Sequence, residues 1–223
     1  NDFVGISFLI ISIALAATTG FLVIERRSMK KKWKLPITVS SLVTGIASAH
    51  YFYMRKIWTL YKKNPIVYRY VDWFLTVPLQ IIEFYLILSV ASQIPVTVFY
   101  KLLVSSIVMI LAGFLGETKM INRMLGFIIG TFAWFYILYE IIFGEAAKFK
   151  DETDDKSVKL AFDSLKYIVT IGWAIYPIGY LLQERNMNLL YNLGDLVNKI
   201  LFALVIWYAG KSPLLEKLMN IMK

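Results

Sequence analysis

Three ionisable residues inside one apolar run, Arg69, Asp72 and Glu83, are the first features of this sequence that could do chemistry. In a helix, where successive residues turn by about 100°, Arg69, Asp72, Thr76, Gln80 and Glu83 share one stripe about 80° wide. Asp72 and Glu83 are then about 16 Å apart along the axis. Two carboxyl groups at different depths on one inward face suit stations on a proton path. The bland alternative is a salt-bridge network that merely holds helices together. Arg69 and Asp72 at i,i+3 spacing fit that alternative; Glu83, with no basic residue within one turn, does not.

A second pair, Asp195 and Lys199, lies at i,i+4 ahead of the apolar run Leu201–Trp207. A lysine desolvated in such a run either pairs with a carboxylate or becomes a nucleophile for an aldehyde, forming a Schiff base. A protonated imine needs a counter-ion, which Asp195 could supply from one turn away and Asp72 from a facing helix. The other reading, a plain Lys199–Asp195 ion pair, stays open on these two residues alone. Trp173, Tyr176, Pro177 and Tyr180 fall on one side of a further helix, around a proline that kinks it. Such a stripe is ordinary packing in most helices; beside a reactive lysine and two carboxylates it suggests the walls of a slot for a flat, apolar ligand.

These residues need a scaffold, and the composition limits what it can be. Of 223 residues, 58% are hydrophobic and 17% charged, and the mean hydropathy is +0.62. Soluble domains are nearer 45–50% apolar and about 25% charged, so this chain is expected in a membrane. Apolar segments fall near 3–24, 36–60, 67–91, 95–116, 124–144, 160–182 and 189–210, each long enough to cross a bilayer. The first is too long for a signal sequence, and its basic cluster follows it rather than precedes it. Residues 1–223 read as one all-α domain, a seven-transmembrane-helix bundle. The absence of cysteine excludes disulfides, thiolate metal sites and a cysteine nucleophile.

The net charge of +9 does not point to nucleic acid, because the basic residues sit in short clusters between apolar runs. With the amino end outside, the inner regions carry thirteen basic residues (Arg26, Arg27, Lys30, Lys31, Lys32, Lys34, Lys148, Lys150, Lys156, Lys159, Lys211, Lys217 and Lys223). The outer regions carry seven: Arg55, Lys56, Lys62, Lys63, Lys119, Arg123 and Arg185. That bias predicts an N-outside, C-inside topology, with anionic lipid headgroups beside the inner loops. Glu117 and Glu140 lie near span ends and read as interfacial; Lys101 and Lys166 read as snorkelling to headgroups.

The runs Arg69-Tyr70-Val71-Asp72-Trp73-Phe74-Leu75-Thr76-Val77-Pro78, Trp173-Ala174-Ile175-Tyr176-Pro177 and Asp195-Leu196-Val197-Asn198-Lys199 resemble spans three, six and seven of the microbial rhodopsins. The likeness covers essentially the whole chain and is nearest to the blue-absorbing proteorhodopsins. It implies a bundle holding all-trans retinal as a protonated Schiff base on Lys199, in a bacterial cell membrane, with no metal and no enzymatic reaction. By matching position it makes Asp72 the proton acceptor and counter-ion and Asp195 a second counter-ion, with Arg69 beneath them on the outer side. Glu83 becomes the cytoplasmic proton donor. His50, the single histidine, would couple to Asp72.

The same resemblance assigns Trp73, Thr76, Met109, Gly113, Trp134, Trp173, Tyr176, Pro177 and Tyr180 to the chromophore site. It assigns Gln80 to colour tuning, glutamine there implying blue absorption and leucine green. The implied activity is light-driven outward proton pumping, in homo-oligomers of five or six. A photosensor with the same chromophore is the first rival, against which Glu83 speaks. A light-independent transporter with Lys199 in a salt bridge is the second.

Overall fold

The computed structural model describes residues 2–221, and side chains as far as Lys211; Asn1, Lys217 and Lys223 lie outside the residues so described. Among the described residues the regular structure is entirely helical: α1 Phe3–Glu25, α2 Lys34–Tyr61, α3 Ile66–Ala91, α4 Val96–Glu117, α5 Arg123–Ile142, α6 Glu145–Glu152, α7 Lys156–Thr170, α8 Ile175–Leu181 and α9 Glu184–Ile221. Seven spans follow, with α7 and α8 forming the two halves of the sixth and α6 lying in the loop before it. The polar stretch Lys148–Lys159 contributes the end of α6 and the first turn of α7.

Local chemistry starts and stops these helices. The Asp2 carboxylate accepts from the Gly5 amide at 2.9 Å and from the Trp58 indole at 2.9 Å, which holds its acid below the usual carboxylate range. Asn122 caps α5 and Asp155 caps α7 by the same amide contacts. Pro65 and Pro95 stand just before α3 and α4, where a missing N–H costs nothing. Within the sixth span, Pro177 cannot bond back to the residue four earlier, and the helix breaks there into a 3₁₀ turn at Gly172–Ala174.

The bundle is inverted relative to a soluble protein. Ile10, Ile13, Ile24, Phe132 and Ile171 are each more than half exposed, while Arg69, Asp72, Thr76, Glu83, Asn188, Asn192 and Asp195 are wholly buried. In water this would be prohibitive; in lipid it is the arrangement that satisfies both solvents. Five helices, α1, α3, α4, α5 and α9, are long and apolar enough to cross a membrane by composition. The second span falls short because Ser40, Ser41, Thr44 and Ser48 line its buried face. Those hydroxyls let it pack closely on α1, with Thr19 bonded to Thr44 at 2.8 Å and Ser48 to the Ser12 carbonyl at 2.9 Å. The sixth span falls short because it is broken. Consecutive spans pack side by side, and α9 closes the ring against α1 and α7.

The α4–α5 crossing is closest at Gly116 and Gly126. A Cβ on Gly126 would lie 2.6 Å from the Ala112 carbonyl oxygen and 2.9 Å from the Gly116 Cα, both backbone atoms that cannot step aside. Gly126→Ala should therefore part the two helices and lower stability by about 1–3 kcal/mol, read by thermal unfolding in detergent. An unchanged midpoint would show the crossing to be looser than its geometry.

Candidate functional site

The polar stripe of α3 faces the middle of the bundle, opposite α9. Lys199 Nζ donates to Asp72 Oδ2 at 2.6 Å and to Asp195 Oδ2 at 3.0 Å, and all three side chains are buried. The two carboxylates are not equivalent. Asp195 also accepts from the Tyr51 hydroxyl at 2.7 Å, the Tyr176 hydroxyl at 2.8 Å and the Trp73 indole at 3.2 Å. Asp72 has Lys199 on one oxygen only; its Oδ1 is buried without a hydrogen-bond partner.

Arg69 does not pair with Asp72, as i,i+3 spacing suggested. Its guanidinium turns away from Asp72 and donates to Tyr51 Oη at 2.9 Å, Asn188 Oδ1 at 3.1 Å and Asn192 Oδ1 at 2.6 Å. Tyr51 is therefore the bridge between Arg69 and Asp195. Asn192 in turn donates to Ser7 Oγ at 2.7 Å, and Asn188 to Asn64 at 3.1 Å, which extends the network to the amino ends of α1 and α3. His50 Nδ1 stands 3.6 Å from Asp72 Oδ1, too far for a hydrogen bond, and engages the Ile46 carbonyl at 3.0 Å instead.

On the other side of the lysine, Glu83 is fully buried. Ser40 Oγ donates to its Oε1 at 2.6 Å, and Oε2 has no partner. Glu83 touches neither Lys199 nor Asp72, so α3 holds its two carboxyls as separate stations.

A cavity runs from Lys199 between α3, α4, α5 and α8. Trp73, Gln80, Met109, Gly113, Trp134, Trp173, Tyr176, Pro177 and Tyr180 all line it, as does Asp195 at the lysine end. Thr76, wholly buried on the same stripe, donates its hydroxyl to the Asp72 carbonyl at 2.9 Å. Gly113 is needed for room, since a Cβ there would meet the Tyr70 hydroxyl at 2.8 Å. The broken sixth span turns Trp173 and Tyr176 into the cavity. Carbonyls at the break are held from outside it, Val169 by the Trp134 indole at 3.1 Å and Gly172 by the Asn198 amide at 2.9 Å.

With this geometry in view, the family model described as "Bacteriorhodopsin-like protein" matches residues 2–212. The chain belongs to this family. It is 46% identical over 215 residues to the green-light absorbing proteorhodopsin of Gamma-proteobacterium EBAC31A08, covering 93% of this chain and 86% of that one. To the blue-light absorbing proteorhodopsin of Gamma-proteobacterium Hot 75m4 it is 44% identical over 216 residues, with the same coverage. The crystal structure of the blue light-absorbing proteorhodopsin from Med12 superposes with a TM-score of 0.84 at 44% identity, covering 95% of this chain and all of that one. The seven-helix bundle and its place in a membrane are thereby shared with solved relatives.

In this bacteriorhodopsin-like protein, several groups around the site were not anticipated. Asn188, Asn192, Asp195 and Lys199 recur at i,i+4, i+7 and i+11, a polar stripe on α9 as regular as that on α3. That signal was available. Tyr51 and Tyr191, by contrast, carry no mark that separates them from other tyrosines in apolar spans. The readings of the flanking charges also change. Glu140 is buried and bonds Lys101 at 3.3 Å, and Lys101 bonds Glu145 at 2.9 Å rather than snorkelling. Lys166 pairs with Asp163 at 2.8 Å. Glu117 is turned inward, where its Oε1 accepts from the Tyr191 hydroxyl at 2.8 Å.

Proposed function

We propose that the protein is a light-driven outward proton pump that carries all-trans retinal covalently on Lys199 and absorbs in the blue. The observation that carries this reading is the Lys199 amine at the mouth of an aromatic cavity, 2.6 Å from an incompletely bonded Asp72, with Glu83 held separately on the inner part of the same helix.

The residues present fit retinal. The cavity's walls are flat aromatic and apolar side chains, with the one lysine at its end, as a flat apolar ligand requires. When bound there, retinal supplies light absorption and a photoisomerisation that alters the proton affinity at Lys199 Nζ. The chain's own groups do the rest. Asp72 takes the proton that leaves Nζ, because its Oδ1 is free. Asp195 stays an anion, because three neutral donors besides Lys199 already occupy it. Arg69, fixed by Tyr51 and two asparagines, keeps a balancing positive charge on the outer side. Glu83 returns a proton from the inner side once its Ser40 hydrogen bond lets go. Moving one charge outward against 100 mV requires about 2.3 kcal/mol, a modest load for an absorbed photon.

The basic bias between loops supports an N-outside, C-inside orientation in a bacterial inner membrane. The resemblance to proteorhodopsins alone supports a pentamer or hexamer. For colour, the two relatives at 46% and 44% identity differ in what they absorb, so identity does not choose between them. The blue reading is supported by the resemblance, which links glutamine at this position to blue absorption, and by Gln80 lining the cavity with its amide nitrogen unpartnered.

The reading is tested by adding retinal to membranes containing the protein. Lys199→Ala should leave them colourless, and a coloured Lys199→Ala would remove the covalent assignment. Asp72→Asn should still form pigment but lose light-driven export by roughly 10²-fold; export at the wild-type rate would take Asp72 out of the path. Glu83→Gln should slow the return of the dark pigment by about 10–100-fold, and addition of azide, a small diffusible acid, should restore it. An unchanged photocycle would argue against a donor role. Gln80→Leu should move the absorption band to longer wavelength; no shift would uncouple that dipole from colour.

A further inference from the structure

On the outer half of the bundle, one half-buried carboxyl turned inward has no part in the scheme above. Of the carboxylates on the outer half of the bundle, Asp72 and Asp195 bond Lys199, and Asp2 and Glu184 are exposed at the surface. Glu117 lies between these two levels, on the last turn of α4. Its Oε1 accepts from Tyr191, and its Oε2 is buried with no partner.

The two cations that act on it, Arg123 and Arg69, are bonded elsewhere. Arg123, which faces Glu117 from α5, spends its guanidinium on the main-chain carbonyls of Tyr180 and Leu182 and lies over the Tyr180 ring. No ion pair to Glu117 forms among the described residues. Tyr70 from α3 and Tyr180 from α8 also face it, both neutral. A charged carboxylate buried with one hydrogen bond and no cation is costly, whereas a neutral carboxyl is satisfied there by a single water at Oε2. The other polar groups that lead outward, Asn64, Asn188, Asn192 and Ser7, are amides and a hydroxyl, which keep Arg69 in place but do not titrate.

Tyr191 ties this carboxyl to the lysine site. Its ring packs on Trp73 at 4.9 Å, lies 5.5 Å from the Arg69 guanidinium, and forms part of the cavity wall. When a proton passes from Lys199 to Asp72, one positive charge moves from α9 toward the outer part of α3, and the potential at Glu117 becomes more positive. That change favours loss of the Glu117 proton.

We propose that Glu117 is the proton-exchange group between Asp72 and the outer surface. In each cycle its Oε2–H bond breaks and the proton leaves to outer water; the bond is remade with the proton that reached Asp72, so one proton crosses in all. The assignment rests on the pumping reading.

The test is time-resolved proton release from the full-length, retinal-loaded protein with a pH-indicator dye, alongside light-minus-dark infrared spectra. The wild type should show loss of a protonated-carboxyl carbonyl band during release. Glu117→Gln should abolish that band and delay release about tenfold without slowing formation of the deprotonated pigment. Glu117→Asp should shift the band and restore early release, which a purely structural role would not do. Tyr191→Phe, which removes one hydroxyl and leaves the ring, should shift the band too, and it carries the test should Glu117→Gln fail to assemble. Release unaltered in Glu117→Gln, or a band unmoved by Glu117→Asp and Tyr191→Phe, overturns the proposal while leaving the pump intact. A wild type that acidifies nothing in light overturns the pump reading itself.

Discussion

A lysine ammonium placed in the centre of a lipid-immersed bundle is the constraint that the other polar residues answer. The cost of burying such an ion, several kcal/mol even after relaxation, is offset only if partners of opposite charge are held at hydrogen-bonding distance and their remaining lone pairs are satisfied. Here two cations, Lys199 and Arg69, face two anions, Asp72 and Asp195, so the cluster is neutral as a whole. Neutrality alone would make it inert. The inequality between the carboxylates makes it reactive: Asp195 is saturated with donors, while Asp72 keeps one bare oxygen beside the lysine. A proton moved between Nζ and Asp72 leaves the net charge unchanged, so the surroundings need not import an ion at each turn.

That constraint explains why the core of this bundle is polar in lines rather than in patches. Each helix can bring inward only residues repeating every third or fourth position. The α3 line supplies Arg69, Asp72, Gln80 and Glu83, the α9 line supplies Asn188, Asn192, Asp195 and Lys199, and the α2 line supplies Ser40, Thr44 and Tyr51. Where the lines face each other they bond across the bundle, as Ser40 does with Glu83 and Tyr51 with Asp195. The two directions away from the lysine are unequal. Toward the amino end of α3, Arg69 and its asparagines form a continuous network; toward its carboxyl end, Glu83 has Ser40 alone.

How much of this was legible in the sequence follows from the same periodicity. The seven spans and the inward stripe of α3 are repeats of polarity along one chain, and such repeats survive in a linear string. The cavity-lining aromatics Trp173, Tyr176 and Tyr180 were legible for the same reason, with Pro177 marking the break that aims them. What sequence spacing cannot carry is choice of partner. Arg69 has Asp72 three residues away, yet it bonds Tyr51, 18 positions before it, and Asn188 and Asn192, more than a hundred positions on, because all three reach it from outside its own helix. Thr76 shares the stripe with Asp72, yet its short hydroxyl returns to the backbone of its own helix. Glu117 looked interfacial because it ends a helix, and only the folded chain brings Tyr191 to it.

The break in the sixth span joins these themes. A continuous helix would carry its carbonyls in its own hydrogen bonds and would need nothing from its neighbours. Once Pro177 removes one bond and the chain turns through Gly172–Ala174, backbone groups there need partners in a medium that offers no water. The partners are Trp134, which walls the cavity, and Asn198, which adjoins Lys199 in sequence. Gly172 has no side chain because Asn198 occupies the space where one would start. The break therefore fixes Trp173 and Tyr176 relative to the lysine rather than loosening them, and Tyr176 completes the circle by donating to Asp195. The defect that admits a ligand and the ion pair that holds the lysine are one connected structure, so the cavity cannot be reshaped at its sixth span without disturbing the charge at its end.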